Sequence, residues 1–184
     1  RKSLLLSSFL SSLSSINCFM PSDSTKLVQL GYDQIAESYH ERRVARKDAN
    51  VAFLDSLKDK LPSQGKVLDM GCGGGVPVSQ YFAERGYEVT GFDVSEEMIA
   101  IAKQAVPQAK FFVHDMQTAT FAAKEFALIV SFFAIIHVPR EHHASLLKKM
   151  FGWLQDDGAL LITLGGTDTP ELTKDWHDTT MYWS

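Results

Sequence analysis

Cysteine is close to absent. Only Cys18 and Cys72 occur in 184 residues, too few for a disulfide framework, so a reducing compartment such as the cytoplasm is expected. Basic charge is not in excess either: 18 Lys and Arg stand against 22 Asp and Glu, for a net charge of -4. Nothing in that balance favours a phosphate backbone, and no nucleic acid is expected as a partner. No uninterrupted apolar run approaches the ~20 residues of a spanning helix, so no membrane partner is expected. No His, Cys, Asp or Glu cluster has the spacing of a metal centre, which disfavours a metal-assisted reaction. What is left, 45% hydrophobic and 22% charged residues, is ordinary globular usage. A chain of this length buries about 70% of its unfolded surface, enough for one domain with a real core.

Residues 1–19 stand apart. They read R-K-S-L-L-L-S-S-F-L-S-S-L-S-S-I-N-C-F, basic at the front, rich in Ser and Leu, and free of acids. A secretory signal, an organelle transit peptide and sequence upstream of a start at Met20 all fit that pattern. The segment is therefore set aside from the fold.

The chain is organised around residues 66–75, K-V-L-D-M-G-C-G-G-G. Val67 and Leu68 run into Asp69, and then Gly71, Gly73, Gly74 and Gly75 follow almost without interruption. This pattern predicts a buried strand ending in a turn nearly free of side chains, where backbone N–H groups can approach a small polar ligand.

Before the turn, residues 23–46 have helical spacing at Leu27, Leu30, Ile35 and Tyr39, broken by Gly31. A second helix carries Val51, Leu54, Leu57 and Leu61 and stops at Pro62. After the turn, Pro77 opens a helix whose inner face is Val78, Tyr81 and Phe82. Residues 88–93 form a strand ending on Asp93, and Ser95 caps the next helix, which buries Met98, Ile99, Ala102 and Val106. Residues 110–113 are a short third strand running into His114 and Asp115. The nearly all-apolar residues 126–133 suit a central parallel strand. Pro139 and Glu141 begin a helix with Leu147, Met150, Phe151 and Leu154 as its stripe; Asp156-Asp157-Gly158 is a turn, and residues 159–164 are a fifth strand. Strands alternating with helices in this way predict a doubly wound α/β sheet, with the ligand at the carboxyl ends of the strands.

Asp69, Asp93 and Asp115 all fall at such ends. A dinucleotide fingerprint requires a small residue where Val76 stands, and Asp69 would repel a pyrophosphate but attract an ammonium or sulfonium. Asp93 can accept both hydroxyls of a ribose, and Asp115 can accept from the exocyclic amine of an adenine. The three acids together describe a cationic adenosine derivative.

V-L-D-M-G-C-G-G-G followed by V-T-G-F-D-V-S-E-E-M-I-A-I-A-K resembles the class I S-adenosylmethionine-dependent methyltransferases, and residues 126–165 are similar to that family's fourth strand, following helix and fifth strand. Y-D-Q-I-A-E-S-Y, from Tyr32 to Tyr39, resembles the tyrosine-bearing N-terminal segment of its small-molecule branch, and M-Y-W-S at the end resembles a substrate-side loop. The resemblance implies a Rossmann-like, mainly parallel sheet with helices on both faces, S-adenosylmethionine as cofactor and a small-molecule acceptor. It divides the chain into residues 20–62, helices covering the cofactor, and residues 63–184, the α/β core. It implies that Gly71, Cys72 and Gly73 pass under the methionine portion and that Asp69 holds its ammonium. Asp93 takes the ribose, Val94 and Met98 flank the adenine, and Asp115 and Met116 meet its edge. Phe132 offers backbone to the amine, Tyr32 and Tyr39 close the pocket, and Phe133, Tyr182 and Trp183 line the acceptor side.

His137 is the candidate base, needed only if the acceptor starts protonated; the alternative is a histidine that hydrogen-bonds a loop. His114, His142 and His143 are read as solvent-facing or helix-start residues, Cys72 as a packing residue of the turn, and Trp153 as core. Family members continue past the fifth strand with a helix and two more strands. The chain stops about twenty residues past Leu164, so those C-terminal strands are expected to be missing, leaving an exposed sheet edge. A cofactor-binding protein without turnover and a nicotinamide-dependent oxidoreductase remain as alternatives.

Overall fold

The computed structural model describes residues 21–166 and 171–184; the leader-like residues 1–19 lie outside the described residues. Five parallel strands form the main sheet: β1 (Lys66–Met70), β2 (Glu88–Asp93), β3 (Lys110–Val113), β4 (Phe126–Ser131) and β5 (Leu154–Ile162). Their order is β3-β2-β1-β4-β5. The chain winds outward from β1 on one side and then returns to β4 on the other, so the strand order reverses between β1 and β4 and a crevice opens at their carboxyl ends.

Alternation along the strands splits the core. Leu68, Met70, Phe92 and Ile129 face α5 (His143–Trp153), with Leu146, Met150 and Trp153 opposite them. Val67, Val89, Leu128 and Val130 face α2 (Lys47–Leu57) and α3 (Val78–Ala83), through Leu54, Tyr81 and Phe82. Every residue of β4 is buried, which is why its sequence is apolar up to Ser131, whose hydroxyl donates to the Met70 carbonyl at 2.9 Å. Beside them, α4 (Glu96–Ala105) buries Ile99 and Ala102 against Phe111.

Several expectations need correction. The first helix, α1 (Pro21–Ala45), is continuous across Gly31. Its inner face is Val28, Ile35 and Ala36, while Leu30 is 55% exposed. On α5 the buried stripe is Leu146, Met150 and Trp153, and Phe151 is exposed. The last strand of the sheet begins at Leu154, and Asp156-Asp157-Gly158 is an irregularity within it: Phe126 pairs with Leu154 and Leu128 with Ala159. The expected C-terminal loop is also a strand. β6 (Glu171–Trp176) and β7 (Thr179–Trp183) make an antiparallel hairpin with its own two-stranded sheet. They turn at His177 and Asp178, whose φ values of 52° and 64° suit a two-residue hairpin turn.

This hairpin packs on α1 through Met181 and Tyr182 against Val28. Gly31 allows the approach, since a Cβ there would lie 2.9 Å from Met181 Cε. Among the described residues no strand pairs with the outer edge of β5, and no helix is long and apolar enough to cross a membrane.

Candidate functional site

The crevice has a floor made by the glycine turn. After β1 the chain reverses as the N–H groups of Gly71 and Cys72 both donate to the Phe92 carbonyl, at 2.8 and 3.0 Å. Gly71 has φ +72°, and a Cβ there would sit 2.2 Å from Ala134 Cβ. No other residue fits, because the backbone itself is the surface at that point. Asp93 ties the turn to the next helix: its Oδ2 accepts from Gly73 N at 2.9 Å and its Oδ1 from Ser95 N at 3.0 Å. An ionised carboxylate has roughly four acceptor positions, so these bonds leave capacity on the cleft side. Burial pushes its pKa up, and the N–H groups of Ser95, Gly73 and Val94 oppose that rise. Asp69 is only 2% exposed, and its Oδ2 accepts from Ser79 Oγ at 2.6 Å. Burial raises its pKa to about 7 despite that bond.

α1 forms the roof. Tyr32, Tyr39, His40 and Arg43 recur at helical spacing on the side that faces the cleft. The roof is also fastened to the floor. Ser95 Oγ caps α4 by accepting from Met98 N at 3.1 Å, and donates to Asp33 Oδ1 on α1 at 2.6 Å. Glu97 N reaches the same oxygen at 3.3 Å.

His137 sits where roof, floor and hairpin meet. Its Nδ1 is 2.7 Å from the Tyr182 carbonyl oxygen and its Nε2 is 3.0 Å from the Tyr32 hydroxyl. A carbonyl only accepts, so Nδ1 carries the proton and Nε2 accepts from Tyr32. Burial lowers the ring's pKa to about 4, against the opposing pull of the Tyr182 carbonyl, so the imidazole stays neutral at pH 7. Trp183 packs on the same ring, with centroids 4.6 Å apart.

The cleft encloses about 990 Å³ of space, the open solvent at its mouth included. Lining it are Tyr32, Tyr39, Asp69, Gly71, Cys72, Gly73, Asp93, Val94, Asp115, Met116, Phe132, Phe133 and His137. Three residues expected at the site are not among its lining. Met98 is buried beneath the turn, Tyr182 packs on Val28 and touches the site through its carbonyl, and Trp183 lies behind His137. His114, read as solvent-facing, lines the cleft beside Asp115. Thr25, His40, Arg43 and Gln117 also line it without having been singled out. Arg43, four residues after Tyr39, and His40, eight after Tyr32, fall at helical spacing that would have marked them, whereas Ser79 and Asp33 carry no signal short of the fold.

A family model described as a methyltransferase domain matches residues 67–158. A malonyl-[acyl-carrier protein] O-methyltransferase of Enterobacter lignolyticus is 28% identical over 161 residues, 85% of this chain and 61% of that protein. A ubiquinone biosynthesis O-methyltransferase of Coxiella burnetii is 35% identical over 119 residues, 62% of this chain and 50% of that one. Among solved structures, a TehB-like SAM-dependent methyltransferase from Corynebacterium glutamicum aligns with a TM-score of 0.56 at 26% identity, covering 70% of this chain and 74% of that one. The chain spans about half the length of the curated relatives it matches.

Proposed function

Because the chain belongs to the methyltransferase-domain family, we propose that its cleft binds S-adenosylmethionine and that the protein transfers a methyl group to a small-molecule acceptor in the cytoplasm. The observation that carries this reading is Asp93, held by Gly73 N and Ser95 N at the rim of a turn whose Gly71 leaves no room for a Cβ. The residues present fit the cofactor. Asp93 keeps acceptor positions for the ribose hydroxyls, with Val94 beside it. Asp115 and Met116 lie along the same wall for the adenine, and Asp69 is placed for the ammonium of the methionine portion. The Gly71-Cys72-Gly73 backbone forms the surface beneath.

When bound, the cofactor supplies a methyl group activated by its sulfonium, so the protein has chiefly to align donor and acceptor. Where the acceptor begins protonated, Tyr32 and His137 provide the path. The Tyr32 oxygen takes the acceptor's proton as its own passes to His137 Nε2, aligned by the Tyr182 carbonyl; because burial holds that ring at a pKa of about 4, the transfer is uphill at neutral pH and suits an acceptor that ionises readily. Tyr39 closes the cleft beside Tyr32, 5.3 Å between ring centroids.

Calorimetric titration with S-adenosylhomocysteine tests the reading. The wild-type chain should bind it, and Asp93→Asn should weaken binding about 100-fold, as expected for lost hydrogen bonds to a charged group, with the circular dichroism spectrum unchanged. Absence of binding to the wild-type chain would refute it. A metabolite screen with methyl-labelled cofactor then separates turnover from binding alone.

A further inference from the structure

The amino-acid end of the cofactor carries two charges, and the floor of the cleft answers only one of them. It offers the acids Asp69, Asp93 and Asp115 and no fixed cation. The complement stands on the roof, where Arg43 of α1 is, among the described residues, the only arginine or lysine lining the cleft. Its neighbour Arg42 is already engaged, donating to the Ser38 carbonyl, the Ser38 hydroxyl and His177 Nδ1 at 3.0, 3.0 and 2.8 Å. Arg43 has no ion pair and no hydrogen-bond acceptor among the described residues. Two contacts place it. A turn of helix earlier, His40 Nδ1, buried and without a partner, rests on the glycine turn, where a Cβ on Gly74 would lie 2.3 Å from it. The Arg43 guanidinium itself lies over the Phe133 ring, 5.6 Å from its centroid, just past β4, the strand that pairs Val130 with Asp69. Its charge reaches that acid. Burial raises the pKa of both the Asp69 carboxyl and the Tyr32 hydroxyl, and Arg43 is among the groups that oppose the rise. Asp69 and Arg43 thus sense each other across the cleft without forming an ion pair, an arrangement that an amino-acid zwitterion can bridge. A guanidinium is also the group suited to bidentate binding of a carboxylate.

We propose that Arg43 holds the carboxylate of the cofactor's methionine end, opposite Asp69 on the ammonium, and that it makes the cleft select adenosine thioethers bearing an intact amino acid over those without the carboxylate. The inference rests on the cofactor reading above, to which it adds the one charge left unmatched there.

Calorimetric titration with three thioethers tests it: S-adenosylhomocysteine, its decarboxylated form, which keeps the ammonium, and methylthioadenosine, which lacks both charges. The wild-type chain should bind S-adenosylhomocysteine about ten-fold more tightly than the decarboxylated form, as expected for hydrogen bonds to a charged group. Arg43→Gln should remove that preference by weakening S-adenosylhomocysteine alone; unchanged affinity for the other two ligands shows that the variant keeps its fold. A wild-type chain that binds S-adenosylhomocysteine and its decarboxylated form equally overturns the proposal. So does an Arg43→Gln chain that keeps the preference, or one that weakens all three ligands alike, since Arg43 then acts through the seating of α1 rather than on the carboxylate. A wild-type chain that binds none of the three refutes the cofactor reading itself, and this inference with it.

Discussion

Asp69 and His137 are perturbed by the same cause, burial, in opposite directions. The Asp69 carboxyl, ordinarily near 3.8, is raised to about 7. The folded chain thus holds a proton that the unfolded chain has released, and this stability is complete below pH ~4 and lost as pH rises to about 7. The His137 imidazole, ordinarily near 6.5, is lowered to about 4. Its contribution is complete above pH ~6.5 and lost as pH falls to about 4. The two slopes oppose each other across the interval they share. The contributions of these two groups to the denaturant midpoint of the ligand-free wild-type chain therefore largely cancel between pH 4 and 6.5, with Asp93, also raised by burial, and His40, lowered by it, adding one to each side. Asp69→Asn should expose a midpoint that rises with pH over that interval, and His137→Gln one that falls with pH up to about 7. Parallel slopes in the two variants would show that one of the groups is not buried as described.

At the level of elements, the glycines divide into those that shape a turn and those that admit a neighbour. Gly71 belongs to the first kind and Gly31 to the second: it lies within α1, where glycine costs about 1 kcal/mol relative to alanine, and its empty side is filled by Met181. Gly31→Leu should preserve or raise helix content while displacing the hairpin. Hydrogen exchange would show this as lost protection of the β7 amides, with β1 and β4 unaffected. Unchanged β7 protection would mean that the hairpin does not depend on this contact. Sequence periodicity alone read Gly31 as a break, because a glycine that ends a helix and one that receives a neighbour look alike until the neighbour is known. By contrast, the Ser95 cap was legible, since its partner Met98 N is local. In the α5 stripe Met150 and Leu154 were read correctly, but Leu147 stood in place of Leu146 and Phe151 in place of Trp153. On a short helix several apolar residues compete for the inner face, and only the sheet decides among them.

Across the whole molecule, strand-end acids and alternation were enough to anticipate the parallel sheet and the edge at which the cleft opens. The hairpin was not anticipated, because its support is distant in sequence. Gln34 Nε2 donates to the Asp178 carbonyl at 3.2 Å, and Ser184 N donates to the Ile136 carbonyl at 2.7 Å. Neither partner is marked by any local pattern. The same non-local logic links α1 to α4. Asp33 on the roof is bonded to the serine that caps the helix beginning beside Asp93. If α1 lifts to admit or release a ligand, the Asp33 bonds to Ser95 Oγ and Glu97 N break together. The dwell time of a molecule in the cleft would then depend partly on a carboxylate that does not line it. Asp33→Ala should speed dissociation of S-adenosylhomocysteine about ten-fold in stopped-flow fluorescence, as expected for losing hydrogen bonds to a charged acceptor, with a smaller effect on its association. If spent cofactor leaves more slowly than the methyl moves, Asp33 acts as the escapement of this protein, timing each turnover from outside the chemistry.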